Sequence, residues 1–132
     1  MPITISNGGI LRGTGTMTEA VTIASDGILQ PGDPTGILTV DDDITIDGAL
    51  QITLDGLGNN GLNVAGDLDI TQASLVVTGT GASSAHIIAQ YGTLTGTRFD
   101  SVNIPQGWTI DYEYDGNKIA LVQPKPTVFR FR

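Results

Sequence analysis

Short runs in which apolar residues alternate with Thr, Ser or Asp recur along the chain. Ile3-Thr4-Ile5-Ser6-Asn7-Gly8-Gly9-Ile10-Leu11 aligns without gaps on Val21-Thr22-Ile23-Ala24-Ser25-Asp26-Gly27-Ile28-Leu29. Ile44-Thr45-Ile46-Asp47-Gly48-Ala49-Leu50 repeats it, and Leu68-Asp69-Ile70-Thr71-Gln72-Ala73-Ser74-Leu75 is a fourth copy. A second register runs through Gly36-Ile37-Leu38-Thr39-Val40, Gly61-Leu62-Asn63-Val64 and His86-Ile87-Ile88. The copies are about 18 to 25 residues apart. Alternation with a period of two predicts half-buried strands. Ile, Val and Thr, branched at Cβ, fit a pleated sheet better than a helix. No stretch has a convincing 3.6-residue period.

One such unit cannot bury its own apolar face. Units stacked at ~4.8 Å can, because each backbone then pairs with the turn above and below. The expected fold is all-β, a right-handed parallel β-helix (β-solenoid) with a C-terminal capping section. Ile3, Val21, Ile44 and Leu68 form one inward stack and Ile5, Ile23, Ile46 and Ile70 the next. Thr4, Thr22, Thr45 and Asp69 form an outward column. Gly9, Gly27 and Gly48 fall at equivalent corners, where the chain needs positive φ or a close backbone approach. Ala73 stands there in the fourth copy, so that corner is expected to differ. A β-sandwich also has short, evenly spaced strands, but near-identical corners favour the solenoid.

Gly27-Ile28-Leu29-Gln30-Pro31-Gly32-Asp33-Pro34-Thr35-Gly36-Ile37-Leu38-Thr39-Val40 resembles the passenger-associated repeat of bacterial autotransporters, G-x-L-x-P-G-x-S-x-G-x-L-T-V. Downstream, Tyr91-Gly92-Thr93-Leu94-Thr95-Gly96-Thr97-Arg98-Phe99 leads to Val102-Asn103-Ile104-Pro105-Gln106-Gly107-Trp108 and then to Ile110-Asp111-Tyr112-Glu113-Tyr114. That order is similar to the segment that closes such passengers. The resemblance covers about residues 20–123. It implies a right-handed β-helix whose last section covers the open end, since an uncovered solenoid end is an unpaired strand template. Phe99, Trp108, Tyr112 and Tyr114 are the expected cap-packing residues; an aromatic sugar platform is the competing role. Two features depart from the family. No segment here is an outer-membrane barrel, and residues 124–132 match nothing in the repeat.

Composition narrows the classes. The chain of 132 residues is the length of one domain. It divides into solenoid rungs (1–84), a capping section of the same domain (85–123) and a basic aromatic tail (124–132). Six Lys and Arg against fourteen Asp and Glu, net −8, argue against nucleic acid and anionic membrane surfaces. No apolar run nears the ~18 residues of a membrane-spanning helix, so no membrane insertion by this segment is expected. Without cysteine there is no disulfide or thiolate metal site. Met1-Pro2-Ile3 enters the strand pattern with no signal peptide. The chain is therefore expected to be an excised segment or one used without Sec export.

Candidate chemistry is sparse. Asp43 and Asp67 stack on adjacent rungs near Thr45 and Asp69. Retaining glycoside hydrolysis needs two carboxyls ~5–5.5 Å apart, but no sugar-binding aromatic or cation accompanies them. A solvated acidic face is the expectation. Asp41-Asp42-Asp43 with Asp33 and Asp47 offers oxygen ligands for Ca²⁺ without an EF-hand spacing. No cofactor, metal or catalytic residue is expected. His86, the single histidine, lies among apolar residues and reads as part of a sheet wall or edge. Ser83-Ser84 lacks the G-x-S-x-G elbow, and no phosphate-cradling G-x-x-x-x-G-K occurs.

The tail is distinctive. Arg12, Arg98 and Lys118 face all fourteen acids in residues 1–123, whereas Lys125, Arg130 and Arg132 fall in the last eight residues with no acid. Phe129 and Phe131 alternate with Val128, Arg130 and Arg132, and Pro124 and Pro126 detach this strand from Val122. A detached basic strand beside an acidic body invites β-augmentation. Residues 128–132 are the expected self-association segment, docking on a neighbouring copy or folding back on their own solenoid. The expected protein is a non-catalytic, self-associating structural module, adhesin-like or fibre-forming, extracellular or at the cell surface. Its partners would be further copies in an oligomer or filament, or the flanks of a parent chain. A phage virion decoration or fibre protein, and a β-helix that binds or cleaves surface polysaccharide, are the alternatives.

Overall fold

The computed structural model describes residues 3–6, 8–32, 36–54, 60–79, 85–104 and 107–122. They contain no helix and form a β-solenoid with three walls. The first wall stacks β1 (Ile3–Ile5), β4 (Val21–Ile23), β7 (Ile44–Ile46), β10 (Asp67–Asp69) and β13 (Thr93–Thr95) in that order. The second stacks β2 (Ile10–Gly13), β5 (Ile28–Pro31), β8 (Ala49–Leu54), β11 (Ser74–Gly79) and β14 (Ser101–Asn103). The third stacks β3 (Gly15–Met17), β6 (Gly36–Val40), β9 (Asn60–Val64) and β12 (Ala85–Gln90). It ends in an antiparallel pair, with β16 (Lys118–Val122) on β12 and β15 (Thr109–Tyr114) outermost. Every other neighbouring pair is parallel. Each turn thus gives one strand to each wall, so all ladders close between consecutive turns.

The register follows the apolar pattern. Ile3 pairs with Val21, Val21 with Ile44, Ile44 with Leu68 and Leu68 with Leu94. Ile5, Ile23 and Ile46 stack beside them, and Ile70 follows one residue beyond β10. Leu11, Leu29, Leu50, Leu75 and Val102 make the column of the second wall. Leu38 and Leu62, with Val40 and Val64, line the third. The middle members are fully enclosed: Ile23, Ile46, Leu50, Leu68, Ile70 and Leu75 are 0% exposed. A one-residue slip would turn such a column to solvent, which is why burial fixes the register.

The corners explain the glycines. Gly9, Gly27 and Gly48 are not in the left-handed region. A Cβ on Gly27 would lie 2.7 Å from the Ile5 carbonyl oxygen, and one on Gly48 would collide with the carbonyls of Gly27 and Ala24. Close approach between turns is therefore what requires glycine. The Ala73 corner keeps the same hydrogen bonds but has room for a methyl that the glycine corners lack. The Ala73 N–H donates to Ile70 O at 3.0 Å, as Gly27 N–H donates to Ala24 O at 2.8 Å. Its carbonyl still accepts from the next turn, at Asp100 N, and its methyl is fully buried.

The second register needs one correction. Ala89, not a residue of the His86-Ile87-Ile88 run, pairs with Leu62. The pairing of β12 with β16 shifts between Ile87 and Ala89, and Ile88 and Ala89 are both buried. That irregularity breaks the period of two, so a copy read by strict alternation falls out of step. Within residues 85–123, β12, β13 and β14 continue the parallel ladders, and only β15 and β16 run antiparallel.

The two ends differ. At the N-terminal end β1, β2 and β3 are the outermost strands of all three walls. There Ile3, Ile5, Leu11 and Met17 pack on the core but stay half-exposed. At the other end the β15–β16 hairpin extends the third wall. Its Asp115-Gly116 turn takes positive φ at both residues (53° and 94°), a conformation that Asp-Gly tolerates.

Candidate functional site

The acidic face of the first wall is a ladder of hydrogen bonds. Asp43 and Asp67 stack on adjacent turns, where the strands bring them. Asp67 N–H donates to Asp43 Oδ1 at 2.8 Å. The Asp67 carboxylate accepts from Thr93 Oγ1 at 2.8 Å and from Thr95 Oγ1 at 2.9 and 2.7 Å. Asp69 Oδ1 accepts from Thr71 N at 3.0 Å, and Asp42 Oδ1 from Asp43 N at 2.7 Å. The Asp43 carboxylate occupies the space that Gly66, lacking a side chain, leaves. Each carboxylate thus binds the backbone or hydroxyls of its own or the next turn. Charge-assisted bonds of this kind fasten successive turns together. The recess beside them, lined by Asp43, Gly66, Asp67 and Thr93, is shallow and open. Among the described residues no three His, Asp or Glu side chains converge as a metal site. Asp33 and Ser83-Ser84 lie outside the described residues.

His86 lies in the third wall on β12, opposite Leu121, and is buried. Its ring centroid is 5.6 Å from that of Trp108, tilted by 58°. Phe99, on the link between β13 and β14, is 3% exposed, and its ring lies 5.7 Å from Tyr112. Tyr112 Oη accepts from Phe99 N at 3.1 Å. Trp108, Tyr112, Ile104 and Ile110 pack half-buried against the core. Tyr114 is half-buried beside the hairpin turn, opposite Lys118. Val128, Phe129, Arg130, Phe131 and Arg132 lie outside the described residues.

Sequence reasoning missed Tyr91, the residue that ties these pieces together. Its Oη donates to Tyr112 O at 2.7 Å, its N donates to Asn117 O at 3.1 Å and its carbonyl accepts from Asn117 Nδ2 at 3.1 Å. The last turn and the hairpin are thereby joined. Only the Asp115-Gly116 pair between two alternating runs signalled a hairpin there. Leu94, Gly96, Thr97, Tyr112 and Glu113 border an open groove of about 450 Å³ at this junction. At the hairpin turn Lys118 Nζ lies 2.9 Å from Asp115 Oδ2 and holds that carboxyl below its ordinary range.

Burial, followed by the negative charges of Glu113 and Asp111, pushes the Tyr91 hydroxyl above its ordinary value of 10.0. A pKa raised by folding means that the folded state holds the proton more tightly. The contribution is complete below the unfolded pKa near 10. It is lost as pH rises through the higher folded value. Tyr91 is therefore expected to ionise above the ordinary tyrosine value, with stability falling as pH rises through that point. Tyr91→Phe should flatten this alkaline loss and cost about 1 kcal/mol at neutral pH for the missing bond to Tyr112 O. Phenolate absorbance and denaturation midpoints against pH test both.

No protein-family model, curated protein or solved structure matches this chain.

Proposed function

We propose that the protein is a non-catalytic structural β-solenoid module of a bacterial surface or extracellular assembly, and that it self-associates end to end. One observation carries this reading. Among the described residues, β1, β2 and β3 are the last strands of all three walls at the N-terminal end, above a core whose last apolar members are half-exposed. Such edges are templates for further strands. Adding a turn there would pair three ladders and cover Ile3, Ile5, Leu11 and Met17 in one step. Asp43 and Asp67 support a structural role, since their carboxylates are engaged in ties between turns. The resemblance of residues 27–40 and 91–108 to autotransporter passengers supports the placement at the cell surface. Function is then mechanical: closed ladders make a stiff, acidic rod that presents its corners. Sedimentation velocity of the full chain at neutral pH tests this. The expected result is species that are multiples of 13.7 kDa and grow with concentration. A monomer at every concentration would overturn it.

A further inference from the structure

Resting on that end-to-end reading, we propose that residues 127–132 of one copy add as a strand to the open edge of β3 in a second copy. The acceptor is defined by what its interior lacks. The column that runs through Leu38, Leu62 and Ala89 ends at Gly15. A Cβ built on Gly15 would meet nothing within 4 Å, and Met17, two residues on, is half-buried. Among the described residues the third wall therefore stops at an underfilled position, with β3 as its last strand. The donor has the matching pattern. Phe129 and Phe131, two residues apart, fall on the same side of an extended strand. That side would cover Gly15 and Met17. Val128, Arg130 and Arg132 would then face outward, with Arg130 beside Thr16. Charge agrees: the tail is basic, and every acid lies in the body it would join.

Reach favours addition between copies. From β16, which ends at Val122, the order to the free edge is β12, β9, β6 and β3. The vacant position beyond β3 is five strand spacings away, about 24 Å at ~4.8 Å each. Residues 123–126 precede the alternating strand and span at most about 18 Å even when fully extended. Reaching Gly15 with Phe129 takes seven residues from Val122, about 25 Å at full extension, so the tail of the same chain would arrive there with no slack, whereas a second copy supplies the strand unstretched. Donor and acceptor are different surfaces, so the contact is heterologous and, stacked along the ladder axis, repeats as an open filament.

The chain contains no cysteine, which allows a direct test. Thr16→Cys and Arg130→Cys chains are mixed, oxidised and compared with each variant alone. Neighbouring strands meet the Cα separation that a disulfide needs. The expected result is a mixed disulfide between the two chains. A Phe129→Ser/Phe131→Ser chain should sediment as a monomer and keep the thermal midpoint that the parent shows at concentrations too low to assemble. Assembly that persists in this variant and in a chain ending at Gln123 would overturn the tail as donor and leave end-to-end association standing. A parent chain that never assembles would overturn both. A mixture that yields no mixed disulfide would overturn the addition between copies.

Discussion

Leu50→Ala is expected to destabilise the fold by about 2–5 kcal/mol, the range for truncating a fully buried leucine. Leu50 is 0% exposed and has Leu29 and Leu75 as its column neighbours. The cavity cannot close easily. Collapse along the column is resisted by hydrogen-bonded ladders on three walls, whose spacing is set by the backbone. The same change at Leu11, the half-exposed end of the column, should cost distinctly less, because less area leaves water there. Denaturant midpoints at constant m-value measure both. If the two losses in the isolated chain are equal, the N-terminal end is covered and the description of an open end is wrong. In assembled protein the Leu11 loss should rise towards that of Leu50.

Gly48→Ala is the second large effect, expected at about 1–3 kcal/mol from overpacking. The added Cβ would run into the carbonyls of Gly27 and Ala24. Neither can retreat cheaply. Gly27 O accepts from Ala49 N at 3.1 Å, and Ala24 O accepts from Gly27 N at 2.8 Å. At the equivalent corner of the next turn the reverse change, Ala73→Gly, should also destabilise, by about 1 kcal/mol. It removes a fully buried methyl and adds backbone freedom to the unfolded chain. Two aligned positions thus reject each other's residue. If Gly48→Ala leaves the thermal midpoint unchanged, the turns are not packed as closely as described.

The first wall was readable from sequence because its inward residues are consecutive members of one column, all Ile, Val or Leu. Ile3, Val21, Ile44 and Leu68 align by eye and pair in that register. The same logic weakens towards the end of the stack. Thr93-Leu94-Thr95 and Ser101-Val102-Asn103 are rungs of the first two walls, yet each offers one apolar residue. A terminal rung has a neighbour on one side only, and Val102 is 43% exposed, so selection for apolar character relaxes there. The third wall was misread at β12 because a register shift hides its period. Of the acidic face, the stacking of Asp43 and Asp67 was legible. Their partners were not, because Thr93 and Thr95 come from 26 and 28 residues beyond Asp67. The role of Tyr91 depends on a contact with a hairpin that periodicity does not reveal.

The most direct measurement is the length of the particles along the ladder axis, by electron microscopy of the full chain across a concentration series. The account predicts growth along that axis in steps of one module, about five or six strand spacings or ~24–29 Å, at constant width. Single modules at every concentration, or particles that widen without lengthening, would contradict it.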